Sequence, residues 1–342
     1  MSDVSLRRRF LRGALTVVML LSLVVACGGS TDGESADGPS SVTLYSGRSE
    51  DLVGPLIEQF EAATGIEVEV RYGGNAELAL LIETEGERSP ADVFLASSPG
   101  AVGFLAERDL LQPLGEELTA QGPSGPSGLW VAISGRQRVL VYNSELLDEA
   151  DLPDTVAEVV ADGMQGRVGI APTNGSFQDF VTLLRLEIGD VAALEWLTAL
   201  HDGGAPVFEG NSAIVQAVAR GEIEMGLVNH YYNLRLLAED PSAVSRNHVF
   251  AEGDPGAVTI VTAAAVPAAG DISAATALID FLLSEGAQRF YAEETQEYPL
   301  GVSVADADDL QLLGPIDVGV VDQLGGGLER TLELIREAGF DA

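Results

Sequence analysis

Lysine is absent from the 342 residues, so every one of the 18 basic side chains is an arginine. Against them stand 53 Asp and Glu, for a formal charge of −35. Nucleic acid and anionic lipid headgroups are bound through basic side chains, so both are poor partners for this chain. A cation or cationic complex is electrostatically favoured, although the same charge also describes a plain soluble extracellular surface. Cysteine occurs once, at Cys27, which leaves no nucleophilic thiol in the body of the chain. Histidine occurs three times, at His201, His230 and His248, without HExxH or other metal spacing. There is no Gly-x-Ser-x-Gly elbow and no pair of acids placed for glycoside chemistry. With no catalytic constellation, an exported hydrolase has no residues to run on, and the expectation is a binding protein, not an enzyme.

What is present begins with an export signal. Arg7, Arg8, Arg9 and Arg12 precede an apolar run from Ala14 to Ala26 that stops at Cys27. The run falls short of the ~20 residues that a membrane-spanning helix needs, so residues 1–26 read as a cleaved signal peptide. Leu23-Val24-Val25-Ala26-Cys27 resembles the lipobox of bacterial lipoproteins, which implies acylation of Cys27. Arg7-Arg8-Arg9-Phe10-Leu11-Arg12 also resembles a twin-arginine signal, with Leu6 where Ser or Thr is usual, so Sec and Tat export both stay open. Residues 27–41 are mostly Gly, Ser and Asp with almost nothing to bury, which makes them a flexible tether reaching roughly 20 Å. The expectation is a monomer, lipid-anchored to the outer face of the cytoplasmic membrane. Removing residues 1–26 takes away four Arg and one Asp and leaves the mature chain at −38.

The remaining 301 residues alternate strand-like and helix-like segments, the pattern of βαβ units. Residues 42–45 form a short strand, and Leu52, Val53, Leu56, Ile57 and Phe60 recur at helical spacing with Gly65 as the stop. Ile66, Val68 and Val70 alternate with charged residues as a second strand should. Residues 76–84 and 101–108 are helical around a buried strand at 91–96. Gly-Pro-Ser repeats at 122–128 form a loop, and with no Lys-Ser or Lys-Thr after it that loop is no phosphate cradle. A strand resumes at 139–142 and crosses into a second lobe. There, strand 168–171 meets the turn Pro172-Thr173-Asn174-Gly175-Ser176, which offers an N-cap to a helix over 177–187. Helices near 192–200 and 213–219 follow, then a return strand at 259–266 and helices at 274–283 and 328–338. Trp130 and Trp196 read as core. Asp92, at a strand edge, reads as a structural hydrogen-bond partner.

One pattern carries chemistry. In Glu224-Met225-Gly226-Leu227-Val228-Asn229-His230-Tyr231-Tyr232-Asn233 a strand gives way to a helix at two adjacent tyrosines. Neighbouring strand residues point to opposite faces, so both phenols reach one object only if the chain turns there. Open α/β sheets bind ligands beyond the carboxyl ends of their strands. A phenol titrates near pH ~10, yet a bound high-charge cation strips its proton at neutral pH, and ferric iron is such a cation.

Leu44-Tyr45-Ser46-Gly47-Arg48, Phe60-Glu61-Ala62-Ala63-Thr64-Gly65-Ile66, Pro90-Ala91-Asp92-Val93-Phe94, residues 211–218, Asn229-His230-Tyr231-Tyr232, Asp254-Pro255-Gly256-Ala257 and Glu297-Tyr298-Pro299-Leu300 together resemble the ferric-iron-binding proteins of ABC importers. The resemblance runs in order from about Val42 to the carboxyl end. It implies an α/β, two-lobed periplasmic-binding-protein-like fold with hinge strands and an interlobe cleft. Lobe 1 would comprise 42–133 plus 262–312, and lobe 2 would comprise 134–261 plus 313–342. It also implies capture of Fe³⁺ by Tyr231 and Tyr232 and delivery to an ABC permease. Family members carry a histidine after the first strand and a glutamate after the third; Ser49 and Ser97 stand there instead. Another branch has Arg-His-Tyr at the first of these sites, and only Arg48 matches it. Glu50 is then an oxygen ligand or a solvated helix-start glutamate. Fe³⁺ with two tyrosinates still carries +1, so a carbonate, phosphate or citrate completes the shell. The resemblance places that anion on Asn174, Gly175 and Ser176, beside Asn211 and Asn229, and helix-start amides suit anions. Plain capping by Asn174 and Asn211 is the alternative, as is a surface ion pair for Arg48 and a structural hydrogen bond for His230. The same fold binding an anionic organic solute, such as a phosphonate or sugar phosphate, through Arg48, Ser97 and Asn174 is the competing function.

Overall fold

Alternation along the strands builds two sandwiched sheets, because successive strand side chains leave opposite faces. The computed structural model describes residues 40–341 apart from 98, 126, 258 and 302–326. The signal segment, Cys27 and most of the tether lie outside the described residues. In chain order the elements are β1 (Ser41–Ser46), α1 (Glu50–Thr64), β2 (Glu67–Tyr72), α2 (Asn75–Glu85), β3 (Val93–Ala96), α3 (Pro99–Ala106), β4 (Leu111–Gln112), α4 (Glu116–Thr119) and β5 (Trp130–Asn143). They continue with β6 (Val168–Gly169), α5 (Gly175–Ile188), α6 (Asp190–Asp202), α7 (Asn211–Ala219), β7 (Met225–Asn229), α8 (His230–Glu239) and β8 (Ser245–His248). The last described elements are β9 (Thr259–Pro267), α9 (Ile272–Leu283), α10 (Glu285–Glu293), β10 (Tyr298–Pro299) and α11 (Gly327–Glu337).

The main path of strands runs β2-β1-β3-β9-β5-β7-β6. β1, β2 and β3 are parallel, as βαβ units require, whereas β9 runs antiparallel to both β3 and β5. One face of this first sheet carries Val42, Leu44, Val93, Leu95, Val131 and Ile133 under α1, α9 and α10. Its other face carries Tyr45, Phe94, Ala96, Trp130 and Ala132 against α2 and α3. The second sheet repeats the scheme. Leu140, Tyr142, Val168, Met225 and Leu227 face α5, α6 and α11, while Val139, Val141 and Val228 face α7.

β5 joins the two sheets. Its first half, to Gln137, pairs with β9, and from Arg138 onward it pairs with β7 and β8. The sequence pattern predicts a strand only over 139–142, because Ser134, Gly135, Arg136, Gln137 and Arg138 break the apolar run. All fourteen residues are nonetheless extended and buried. Those polar residues lie where one sheet hands over to the other, which is where the functional side chains gather. The short β4, β8 and β10 escape the periodicity reading because each is too brief to show a period, and the reading also passes over α10, although its buried Ala287, Gln288, Tyr291 and Ala292 recur at helical spacing.

Candidate functional site

The last residues of β7 and the first of α8 set the site. β7 ends at Asn229 and the helix opens at His230, so Tyr231 and Tyr232 lie in its first turn, at the change of direction that the sequence predicts. Their rings stack, with centroids 4.3 Å apart and planes inclined by 27°. Tyr231 is 2% exposed, whereas Tyr232 is half-buried. Burial pushes the Tyr231 phenol above its ordinary range and the neighbouring Tyr232 adds to that, while Arg48 and Arg136 pull it back down.

His230 packs beneath them. Its ring lies parallel to Tyr298 at 4.4 Å, and its Nδ1 accepts the Gln137 backbone N–H at 3.1 Å. Burial brings the imidazole down to about 4, so it is neutral at physiological pH. This is the structural histidine of the two readings that the sequence left open.

Three guanidiniums are buried around the pair. Arg48, at the end of β1, forms a buried ion pair with Glu297, whose other oxygen accepts the Ser134 hydroxyl at 2.6 Å. Arg48 is therefore neither free nor on the surface. Arg136 donates to Thr262 Oγ1 at 3.1 Å, tying β5 to β9. Arg138 donates to Asn229 Oδ1 at 3.0 Å, to the Leu227 carbonyl at 2.9 Å and to Asn211 Oδ1 at 3.4 Å. Burial and then repulsion from Arg136 hold the Arg138 guanidinium below its usual range. Among the described residues, Glu297 and Asp179 are the carboxylates buried with these three arginines. The pocket is electropositive.

The predicted anion site is assembled by the same net. Asn174 caps α5, its Oδ1 accepting the Ser176 N–H at 3.1 Å. Asn211 Nδ2 reaches Asn174 Oδ1 at 3.3 Å, and Asn229 Nδ2 reaches Ser176 Oγ at 3.0 Å. Asn174, Gly175, Ser176, Asn211 and Asn229 are thus brought together, and Arg138 orients two of them by occupying their carboxamide oxygens. Close backbone approach makes this possible: a Cβ on Gly226 would fall 2.1 Å from Ile214 Cγ2, so only glycine lets α7 lie this tightly on β7.

On the opposite side, Ser97 is turned into its own loop cluster. Its N–H donates to Asn75 Oδ1 at 2.9 Å and its hydroxyl to the Gly47 carbonyl at 2.9 Å. Asn75 in turn stands close to Gly175, so the loops after β1, β2 and β3 face the start of α5. Ser49 precedes α1 as its N-cap residue but makes no side-chain cap bond. With Tyr232 it lines a cavity of about 360 Å³. Glu50 is not brought to the tyrosines: it is exposed, and its charge, after burial, helps push up the phenol of Tyr72 on β2. Among the described residues no group of three His, Cys, Asp or Glu side chains gathers as a metal site.

Sequence reasoning missed Arg136, Arg138, Ser134 and Glu297 as site residues. The arginines lie in the polar stretch 134–138, which reads as a break in the strand, and only the pairing of β5 with β9 and then β7 makes it buried sheet. Glu297 lies in one of the segments that carry the resemblance, but nothing local marks it as the partner of Arg48, 249 residues away.

The family model for bacterial extracellular solute-binding proteins matches residues 47–289. The major ferric iron-binding protein of Neisseria meningitidis serogroup B is 33% identical over 311 residues, covering 88% of this chain and 93% of that relative. Iron-bound HitA from Pseudomonas aeruginosa superposes with a TM-score of 0.80 at 33% identity, covering 88% of this chain and all of the other. A Trichodesmium protein solved with iron and citrate superposes with a TM-score of 0.74 at 25% identity, again over 88% of this chain and all of the other. The fold is that of the two-lobed periplasmic binding proteins. On the match across most of its length, the chain belongs to the bacterial extracellular solute-binding protein family, among the ferric-iron-binding periplasmic proteins.

Proposed function

We propose that this protein captures Fe³⁺ outside the cytoplasm, with Tyr231 and Tyr232 as phenolate ligands, and hands it to an ABC permease. The observation that carries this reading is the stacked tyrosine pair, set between buried arginines on one side and an open cavity on the other. Relatives named for ferric iron or solved with it support the cargo. Fe³⁺ with two tyrosinates brings +1 into a pocket where buried guanidiniums already outnumber carboxylates. An accompanying anion, such as carbonate, phosphate or citrate, restores the balance, held by the Asn174–Ser176 turn, Asn211 and Asn229 with Arg48 nearby. Glu50 is left out of the ligand set because it faces elsewhere.

Release and capture follow from the two-lobed build. The helices α9 and α10 pack on the first sheet and α11 on the second, which supports dividing the chain into 42–133 plus 262–312 and 134–261 plus 313–342. Closure is driven only by contacts completed from both lobes. A monomer, exported and anchored through acylated Cys27, would present this cleft beside its permease.

Loading the purified protein with ferric citrate and recording its visible spectrum tests the reading. A tyrosinate-to-iron charge-transfer band is expected, and it should vanish in the Tyr231→Phe, Tyr232→Phe double variant. A colourless wild type would overturn it. Thermal stabilisation by phosphonates that ignores both iron and chelator would instead assign an organic anion as the cargo.

A further inference from the structure

Asn75 is the first residue of α2, yet its side chain serves another loop. Its Oδ1 accepts the Ser97 N–H at 2.9 Å, and its Nδ2 donates to Ser97 Oγ at 3.0 Å. That hydroxyl donates onward to the Gly47 carbonyl at 2.9 Å. With both ends of the carboxamide held, its plane is fixed. The loop after β1 makes room for it: a Cβ on Gly47 would fall 1.9 Å from Asn75 Oδ1. The loops at the carboxyl ends of β1, β2 and β3 are thus locked around one half-buried amide.

A carboxamide nitrogen carries two hydrogens, and Ser97 takes one of them. The other has no acceptor among the described residues, and the same nitrogen lies 3.8 Å from where a Cβ on Gly175 would stand. Gly175 begins α5, on the far side of the proposed lobe division. Asn75 therefore meets the second lobe at one end of the cleft. At the other end α1 and α8 stand apart around the cavity of about 360 Å³ lined by Ser49, Leu52, Tyr232 and Leu236. In the turn that faces Asn75, Ser176 Oγ accepts from Asn229 Nδ2 and keeps a second lone pair. Resting on the ferric, two-lobed reading above, we propose that Asn75 is a closure latch. When the lobes close, its second N–H is donated to the 174–176 turn, with Ser176 Oγ as the acceptor. Ser97 and Gly47 are positioning residues that act through Asn75 by aiming its carboxamide. A contact completed only in the closed form slows opening and leaves the metal's own ligands unchanged.

Release kinetics test this on the full chain loaded with ferric citrate. Decay of the charge-transfer band in excess chelator gives the release rate, and small-angle X-ray scattering gives the contraction on loading. Asn75→Asp keeps the bond from the Ser97 N–H and loses the second donor. Gly47→Ala keeps Asn75 and pushes its carboxamide aside. Each should release iron about tenfold faster than wild type, the worth of one hydrogen bond, and contract less on loading. The wavelength of the band and the unfolding temperature of the empty protein should not move. Ser97→Ala, which frees one side of the amide, should fall between these variants and wild type. Wild-type release rates in Asn75→Asp and Gly47→Ala would overturn the latch and leave iron capture standing. So would faster release matched in each variant by a lowered unfolding temperature of the empty protein. No band in loaded wild type would overturn both.

Discussion

Tyr231 and Tyr232 stack at 4.3 Å yet live in different surroundings. The first is sealed beside Arg48, Glu297 and Arg136, and the second forms part of an open cavity wall. A phenolate at 231 is stabilised by fixed guanidiniums that are in place before the metal, whereas one at 232 depends on the ligand that arrives. The single variants should therefore differ. Tyr231→Phe should leave three buried cations around an apolar ring, costing about 1–3 kcal/mol of fold stability as well as the iron band. Tyr232→Phe should lose most of the iron affinity with a change below about 1 kcal/mol in stability. Urea unfolding of the two apo variants checks the contrast, and equal losses would contradict it.

Glu297 is the carboxylate that makes Arg48 tolerable inside the protein. Glu297→Gln strands a buried guanidinium and should destabilise by about 3–5 kcal/mol. Replacing both partners, as Arg48→Met with Glu297→Gln, should recover much of that loss, because neither charge is then left alone. If the double variant is as unstable as Glu297→Gln by itself, the pair is not what sets the cost.

Arg138 holds the carboxamide oxygens of Asn211 and Asn229, so their amide nitrogens face Asn174 and Ser176. Arg138→Met removes that orientation and takes a donor from three acceptors, the two carboxamide oxygens and the Leu227 carbonyl, at about 1–3 kcal/mol for each one left unmet. The functional sign is a lost dependence on the accompanying anion: carbonate and phosphate should no longer sharpen iron binding in the variant. Titrations with and without each anion measure this directly.

Much of this arrangement was legible before any coordinates. The strand-to-helix change at Asn229 and His230 follows from an apolar run meeting polar residues, and so does a capped helix start after 172–176, although the helix begins at Gly175 with Asn174 as its cap, two residues before the expected start at Phe177. Both are local facts. What was illegible is non-local. Arg48 reads as an anion-site residue or a surface ion pair, and its buried pairing with a carboxylate 249 residues later is not visible in the sequence. Arg136 and Arg138 read as a strand break because exposed strands carry such residues, and only the crossing of two sheets makes a buried place for them. Glu50 was proposed as a ligand from its position in sequence, and the helix turn points it toward Tyr72 instead.

Gly226 limits how closely α7 approaches β7. Gly226→Ala places a methyl 2.1 Å from the Ile214 Cγ2. The buried strand cannot yield without moving Asn211, so a loss of about 1–3 kcal/mol is expected, together with weaker anion binding. Ile214→Val alongside it should relieve part of the clash, and thermal unfolding of the pair of variants reads the coupling.

Proton release ties the chemistry to the cell's surroundings. The Tyr231 phenol holds its proton in the empty protein near neutral pH, because burial raises it. Each phenol must lose its proton to bind Fe³⁺, so binding frees up to two protons and affinity rises with pH. At pH below the phenol range the apparent affinity should change by up to about 100-fold per pH unit, less whatever protons the anion carries. The sign is fixed: acid favours release, alkali favours capture. Titration in weakly buffered solution with a pH electrode counts the protons, and competition against a chelator of known protonation at pH 6, 7 and 8 measures the slope. The two must agree, since both report the same protons. A flat profile with no released protons would mean that the tyrosines stay neutral and the metal, if held, is held by something other than phenolate.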